Sequence, residues 1–300
     1  MVRLKGALLL HLYVWYFVSQ NTRLGSLYCL SGNDGYFVDL KEVSYFLSDQ
    51  EKLQYKNDGY ILRENQFSST EIDIFRDFFE TTVSKAHSIA GEGKEYFLDA
   101  KRFVDIDYLT LQFEPEPHQE FLRVIEPAHS LNSDLEKIIA DRKLTDPIRS
   151  ILSLDEVSLW TDKLNLKRPK IGSGFGWHQD SPYWIHDSED VDTLPNVYIC
   201  LDDADESNGC FSVIKGSHKE GCLPGTFDNS QLGGFFTDQD TFDIDDAVDL
   251  IASAGSLIFF NQHIVHGSKP NQSNQERRAY IVTYQPKNRA MLKSGEVKNI

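Results

Sequence analysis

The chain has 300 residues, 40% apolar and 25% charged, with 46 Asp+Glu against 30 Lys+Arg and a formal net charge of −16. That length allows one large domain or two small ones with a sizeable core, and the composition is that of an ordinary globular protein. An acidic excess of this size argues against nucleic acid as a partner, since neutralising phosphates needs a basic face. Cys29, Cys200, Cys210 and Cys222 show no C-x-x-C spacing, which favours reduced thiols in a cytoplasmic compartment.

In chain order, a short basic start at Met1–Gly6 leads into the apolar run Ala7–Val18, interrupted by His11. The run is too short to span a bilayer as a helix, so no membrane partner is expected. It reads either as a targeting segment or as ordinary structure in an N-terminal extension over 1–52. Residues 19–50 are irregular, with a turn at Gly32-Asn33-Asp34-Gly35, and the domain proper is expected over 53–300. Lys56–Leu62 reads as a turn into a strand. Ser68 and Glu71 form a capping box for a helix through about Ala90, whose core face carries Ile72, Phe75, Phe79, Val83 and Ala86. Leu109–Phe113 reads as a strand, and Pro115 and Pro117 as its following loop. Ser133 with Glu136 predicts a second capped helix, and Asp146-Pro147 the start of a third. From Val157 short alternating runs take over: Ser158–Leu166, Asn196–Leu201, Cys210–Ile214, Gly255–Asn261 and Ala279–Gln285. Helices first and antiparallel strands afterwards predict an α+β fold, with helices buttressing one face of a sandwich or barrel.

The chemistry centres on Gly176-Trp177-His178-Gln179-Asp180-Ser181-Pro182-Tyr183-Trp184. On an extended strand His178 and Asp180 project from one face, so both could reach one metal ion. A third ligand must come from elsewhere, and His263 and His266 compete for the position. Three residues apart, they point to opposite faces of a strand, and His266 stands where the chain turns at Gly267-Ser268. Two histidines and a carboxylate on one face of an octahedron leave the other positions open, as in non-haem Fe(II) oxygenases. Trp177, Tyr183, Trp184 and His186 would then wall a substrate pocket.

Several motifs taken together carry a family resemblance. Trp177-His178-Gln179-Asp180, Leu201-Asp202-Asp203-Ala204 with Asn208-Gly209-Cys210, Ile214-Lys215-Gly216-Ser217-His218, and His266-Gly267-Ser268 with Asn271 and Arg277 occur in that order. They resemble the phytanoyl-CoA dioxygenase family of Fe(II)- and 2-oxoglutarate-dependent oxygenases over roughly residues 53–290. The resemblance implies a double-stranded β-helix, the jelly-roll of cupins. It implies Fe(II) on His178, Asp180 and His266, and the distal carboxylate of 2-oxoglutarate on Arg277, assisted by Ser268. Lys163, Asn165 and Tyr198 match further cosubstrate contacts, and Arg278 would face away as a surface charge. The implied reaction consumes O2 and 2-oxoglutarate, releases succinate and CO2, and hydroxylates or desaturates a small-molecule, lipid or acyl substrate. The carboxylate of Asp180 favours those outcomes over halogenation.

Two other readings compete: a Zn or Mn cupin-like hydrolase or isomerase, and a non-catalytic β-sandwich binding module. Asp238, Asp240, Asp243, Asp245, Asp246 and Asp249 read as a solvated face rather than a calcium site. Lys163, Lys167, Arg168 and Lys170 form a basic cluster that could meet a CoA phosphate.

Overall fold

A computed structural model describes residues 27–29, 36–38, 44–98, 100–225 and 236–300. Two compact units divide the chain, Met1–Tyr45 and Phe46–Ile300. In the first, β1 (Leu27–Cys29) pairs antiparallel with β2 (Tyr36–Val38). The apolar run at 7–18 and the turn at 32–35 lie outside the described residues. No helix among the described residues is long and apolar enough to cross a membrane.

The second unit opens on α1 (Asp49–Asp58), a helix the sequence reading passed over. Only Tyr55 of its residues is buried, so no apolar stripe advertises it. The signal was in its ends: Ser48 and Glu51 form a capping box, and Gly59 closes the helix at φ 84°. After β3 (Tyr60–Arg63), α2 (Ser69–Ile89) forms as predicted, capped by Ser68 and Glu71, with Ile72, Phe79, Val83 and Ala86 buried.

The expected order of helices first and strands afterwards is corrected here. A meander of β4 (Lys94–Leu98), β5 (Lys101–Ile106), β6 (Leu109–Phe113) and β7 (Leu122–Glu126) precedes two more helices. Those helices also begin elsewhere than predicted. In α3 (Leu135–Ile139) the capping position is Asp134, no side chain caps it, and the turn is closed by Glu136 N donating to the Ser133 carbonyl. In α4 (Arg142–Leu152) Asp141 caps Lys143 N, which puts Asp146-Pro147 inside the helix. The buried Asp146 carboxylate pairs there with Arg142 and Arg149.

The remaining elements are β8 (Val157–Lys167), β9 (Phe175–His178), the one-turn α5 (Ser181–Trp184), β10 (Asn196–Cys200), β11 (Phe211–Ile214), β12 (Ala247–Leu250), β13 (Leu257–Phe260), β14 (His266–Ser268) and β15 (Arg277–Pro286). A nine-stranded sheet runs β3-β13-β10-β15-β8-β7-β6-β5-β4, and a four-stranded sheet runs β12-β11-β14-β9. One face of the large sheet packs on the helices through Phe79, Leu144, Ile148, Leu164, Leu166 and Tyr284. A second apolar layer joins the sheets through Tyr198, Phe211, Val213, Ile258, Phe260 and Ile281. Two sheets with helices on one outer face make the jelly-roll that the resemblance implied.

Arg278 is not the surface charge expected of it. Its guanidinium grips Asp202 at 2.9 and 2.8 Å and reaches Glu80 on α2 at 2.9 Å. Arg168 also pairs with Glu80, at 3.1 Å, and with Glu276. This ion-pair cluster pins α2 to the sheet. The predicted basic cluster therefore dissolves, since Lys167 is fully buried and Lys170 donates to the Gln272 carbonyl.

Candidate active site

His178 and His266 are direct cross-strand partners in the β9–β14 pair, and opposed residues in an antiparallel pair present their side chains on one face. The two rings stand 4.2 Å apart, centroid to centroid. Asp180 arrives by a route other than the predicted one. Strand β9 ends at His178, and Asp180 sits in helical backbone at the head of α5, with Ser181 N donating to the Gln262 carbonyl at 3.0 Å. A turn, rather than strand alternation, brings the carboxylate round. The ligand atoms of His178, Asp180 and His266 lie within 4.8 Å of one another, the only such metal-competent group among the described residues.

Second-layer contacts fix the orientation of these groups. His178 Nδ1 lies 2.7 Å from the Gly176 carbonyl, and His266 Nδ1 lies 2.9 Å from that of Ile264. A carbonyl only accepts, so each Nδ1 carries the hydrogen and each Nε2 keeps its lone pair. Burial, then the neighbouring His266, drives the His178 pKa down to about 3, and burial also lowers that of His266. Both rings are thus neutral and able to bind metal. Burial alone would raise the Asp180 carboxyl, but the Lys163 ammonium beside it outweighs burial and keeps the group ionised. Lys163 Nζ lies 3.5 Å from Asp180 Oδ1, and Asn196 Nδ2 donates to Oδ2 at 3.0 Å.

His263 stays out of this group. Its ring bonds to Ser181 Oγ and Asp192 Oδ1 at 2.8 and 2.7 Å, as expected of a hydrogen-bonded histidine.

The triad lies in a cavity of about 680 Å³ that Lys163, Asn165, Tyr198, Ser268 and Arg277 also line. Arg277 is buried, donates through Nε to the Gly209 carbonyl at 2.9 Å, and stands 5.6 Å from the Tyr198 ring. Tyr198 Oη and Asn165 Oδ1 are buried with no hydrogen-bond partner, which buried polar groups rarely tolerate unless a ligand completes them. Ser268 Oγ lies 2.7 Å from Lys167 Nζ.

Of the predicted substrate residues, Tyr183 and Trp184 line the cavity. Trp184 is also core, 1% exposed and edge-on to Trp160 at 6.5 Å. Two expectations are corrected. Trp177 projects from the other side of β9 onto Phe242, because alternate residues of a strand face opposite ways. His186 lies beyond the single turn of α5, exposed to solvent and outside the cavity lining.

Sequence reasoning missed Arg123, which lines the cavity, and its buried partner Glu114, both of which come from the meander. Neither sits in a motif. It also missed the burial of Lys167, although the alternation of Lys163, Asn165 and Lys167 along β8 carried that signal.

Fold and site together define a jelly-roll with a facial two-histidine, one-carboxylate centre, the donor set and open geometry that suit Fe(II). Residues 55–279 match the phytanoyl-CoA dioxygenase (PhyH) family, and the chain belongs to that family. It is a non-haem iron- and 2-oxoglutarate-dependent dioxygenase, an oxidoreductase, and the hydrolase and binding-module readings fall away. Among its relatives is the phytanoyl-CoA dioxygenase domain-containing protein 1 homolog of Caenorhabditis elegans, 29% identical over 260 residues, spanning 76% of this chain and 88% of that protein. The ectoine dioxygenase of Stutzerimonas stutzeri (strain A1501) is 26% identical over 249 residues, spanning 77% of this chain and 74% of the relative. In fold, the chain is similar to EctD from S. alaskensis, solved with 2-oxoglutarate and 5-hydroxyectoine. The TM-score is 0.63 at 21% identity, over 82% of this chain and 78% of that one.

Proposed function

We propose that His178, Asp180 and His266 hold the iron, that Arg277 takes the distal carboxylate of 2-oxoglutarate, and that the enzyme hydroxylates a small molecule bound against Tyr183 and Trp184. The observation that carries this reading is the convergence of two tautomer-fixed imidazoles and a carboxylate within 4.8 Å, in one cavity with a buried arginine. When bound, iron and 2-oxoglutarate activate O2, with the cosubstrate leaving as succinate and CO2 while one oxygen atom enters the substrate.

The chain's own residues supply the rest. By accepting from Nδ1, the Gly176 and Ile264 carbonyls leave each Nε2 lone pair free, so that it would be available to the metal. Lys163 and Asn196 hold Asp180 ionised and in place, and Thr283 Oγ1 fixes the Asn196 amide in turn. A planar guanidinium is the natural bidentate partner of a carboxylate, and Tyr198 Oη and Asn165 Oδ1 stand ready for polar atoms of the ligands. Trp184 and Trp160 exclude water from one wall. A cavity of about 680 Å³ suits a small-molecule substrate beside the cosubstrate. The free thiols of Cys200, Cys210 and Cys222 suit a reducing, cytoplasmic compartment.

The test is an anaerobic titration of the chain with Fe(II) and 2-oxoglutarate. A visible metal-to-ligand charge-transfer band should appear in the wild type and vanish in His266→Ala while persisting in His263→Ala. A band lost in His263→Ala and kept in His266→Ala would overturn the assignment.

A further inference from the structure

Lys167 is a fully buried lysine for which the reading above has no use. Its Nζ sits among three oxygens: the Lys269 carbonyl, the Gly209 carbonyl at 3.3 Å and Ser268 Oγ at 2.7 Å. We propose that Lys167 is a positioning residue that takes up a proton as 2-oxoglutarate binds, and that this proton turns the Ser268 hydroxyl toward the cosubstrate's distal carboxylate. The inference rests on the assignment of that carboxylate to Arg277.

The hydrogen-bond inventory gives the mechanism. Both carbonyls only accept, so two N–H groups of Nζ are committed to them. The third position decides what Ser268 does. As an ammonium, Nζ donates to Ser268 Oγ, and the serine hydrogen is left for the cavity that Ser268 lines. As a neutral amine, Nζ offers a lone pair, Ser268 donates backwards to it, and the serine shows the cavity only lone pairs. A carboxylate is welcomed in the first arrangement and repelled in the second.

Charge links the two events. Arg277 on β15 and Arg123 on β7 face Lys167, as do Glu114 after β6 and the Cys210 thiol at the head of β11. The Lys269 ammonium turns outward to Asp249. Glu114 is thus the one carboxylate set against two arginines, and a third cation finds no partner until an anion arrives. Burial first, then Arg277 and Arg123, pull the Lys167 pKa down to about 5. A carboxylate on Arg277 supplies the missing negative charge and favours the ammonium. The Gly209 carbonyl accepts from Arg277 and Lys167 alike, so the two side chains share one support. Gly209 suits that place, since its φ is +74° and a Cβ would collide with the Lys269 carbonyl and crowd Lys167 Nζ.

Calorimetric titration of the anaerobic, Fe(II)-loaded chain with 2-oxoglutarate, in buffers of different ionisation enthalpy, counts the protons. The wild type should take up about one proton per cosubstrate near neutral pH, and its Kd should weaken by up to about tenfold per pH unit as pH rises. Lys167→Met should abolish both effects, and Lys167→Gln serves where methionine is not tolerated. Binding without proton uptake and with a pH-independent Kd would overturn the proposal, as would unchanged uptake in Lys167→Met. Absence of 2-oxoglutarate binding altogether would instead remove the cosubstrate assignment on which it stands.

Discussion

Strand β8 carries the same residue type, four residues apart, into opposite surroundings. Lys163 and Lys167 lie on one face of the strand, and burial presses both toward the neutral amine. At Lys163 the carboxylates of Asp180 and Glu126 outweigh burial and lift its pKa above the ordinary value. At Lys167 burial is joined by the charges of Arg277 and Arg123, and the pKa falls to about 5. Burial acts against the charge of both lysines, and the charged company decides the protonation state. The cavity is polarised as a result. Its metal end already holds a balanced cation and carboxylate, while its arginine end sets the one carboxylate of Glu114 against Arg123 and Arg277.

The largest expected effect tests the metal end. His178→Ala, Asp180→Ala and His266→Ala should each abolish Fe(II) binding and turnover, with circular dichroism unchanged, whereas His263→Ala should keep most of both. Retention of stoichiometric iron by any of the three ligand variants would break the assignment.

At the arginine end, Arg277→Ala leaves the cosubstrate's carboxylate unpaired in a buried pocket, a loss of about 3–5 kcal/mol. The Kd for 2-oxoglutarate should therefore rise by about two to four orders of magnitude with iron binding intact. Arg278→Ala provides the contrast: it breaks the pairs with Asp202 and Glu80, so it should lower Tm and leave that Kd nearly unchanged. Equal effects of the two substitutions on the Kd would contradict the opposite facing of neighbouring strand residues.

A smaller effect is expected from Lys163→Met. Removing a second-layer partner of a metal ligand costs about 10–100-fold in metal affinity. The pH dependence sharpens the test. A depressed carboxyl pKa means that the ionised form is lost only as pH falls through that lowered value. Without Lys163 the Asp180 pKa rises, so iron should be released on acidification at a higher pH than in the wild type. An unshifted release profile would show that Lys163 does not tune the ligand. The smallest effect should be that of His186→Ala, with turnover within about twofold of wild type, as for an exposed residue outside the cavity. A larger loss would return His186 to the substrate wall.

Much was legible in the sequence wherever the information is local. The Ser68–Glu71 box fixed the start of α2, and the alternating runs from Val157 onward located β8, β10, β11, β13 and β15. The motif order from Trp177 to Arg277 brought out the family. The Ser48–Glu51 box was equally local and could have exposed α1. Strands β4, β5 and β7 gave no such signal, because β4 is largely exposed and β7 largely buried, and neither alternates.

The sequence by itself determined which donors exist and in what order, since spacing and side-chain chemistry belong to the chain. Tertiary structure alone decided how they meet. Asp180 reaches the histidines through a turn, His266 meets His178 across the β9–β14 pair, and Trp177 and His186 lie outside the cavity lining. It decided the charges as well. Lys163 and Lys167 are the same residue on one strand, and a protonation state depends on carboxylates and guanidiniums that distant strands carry to within a few ångströms through space.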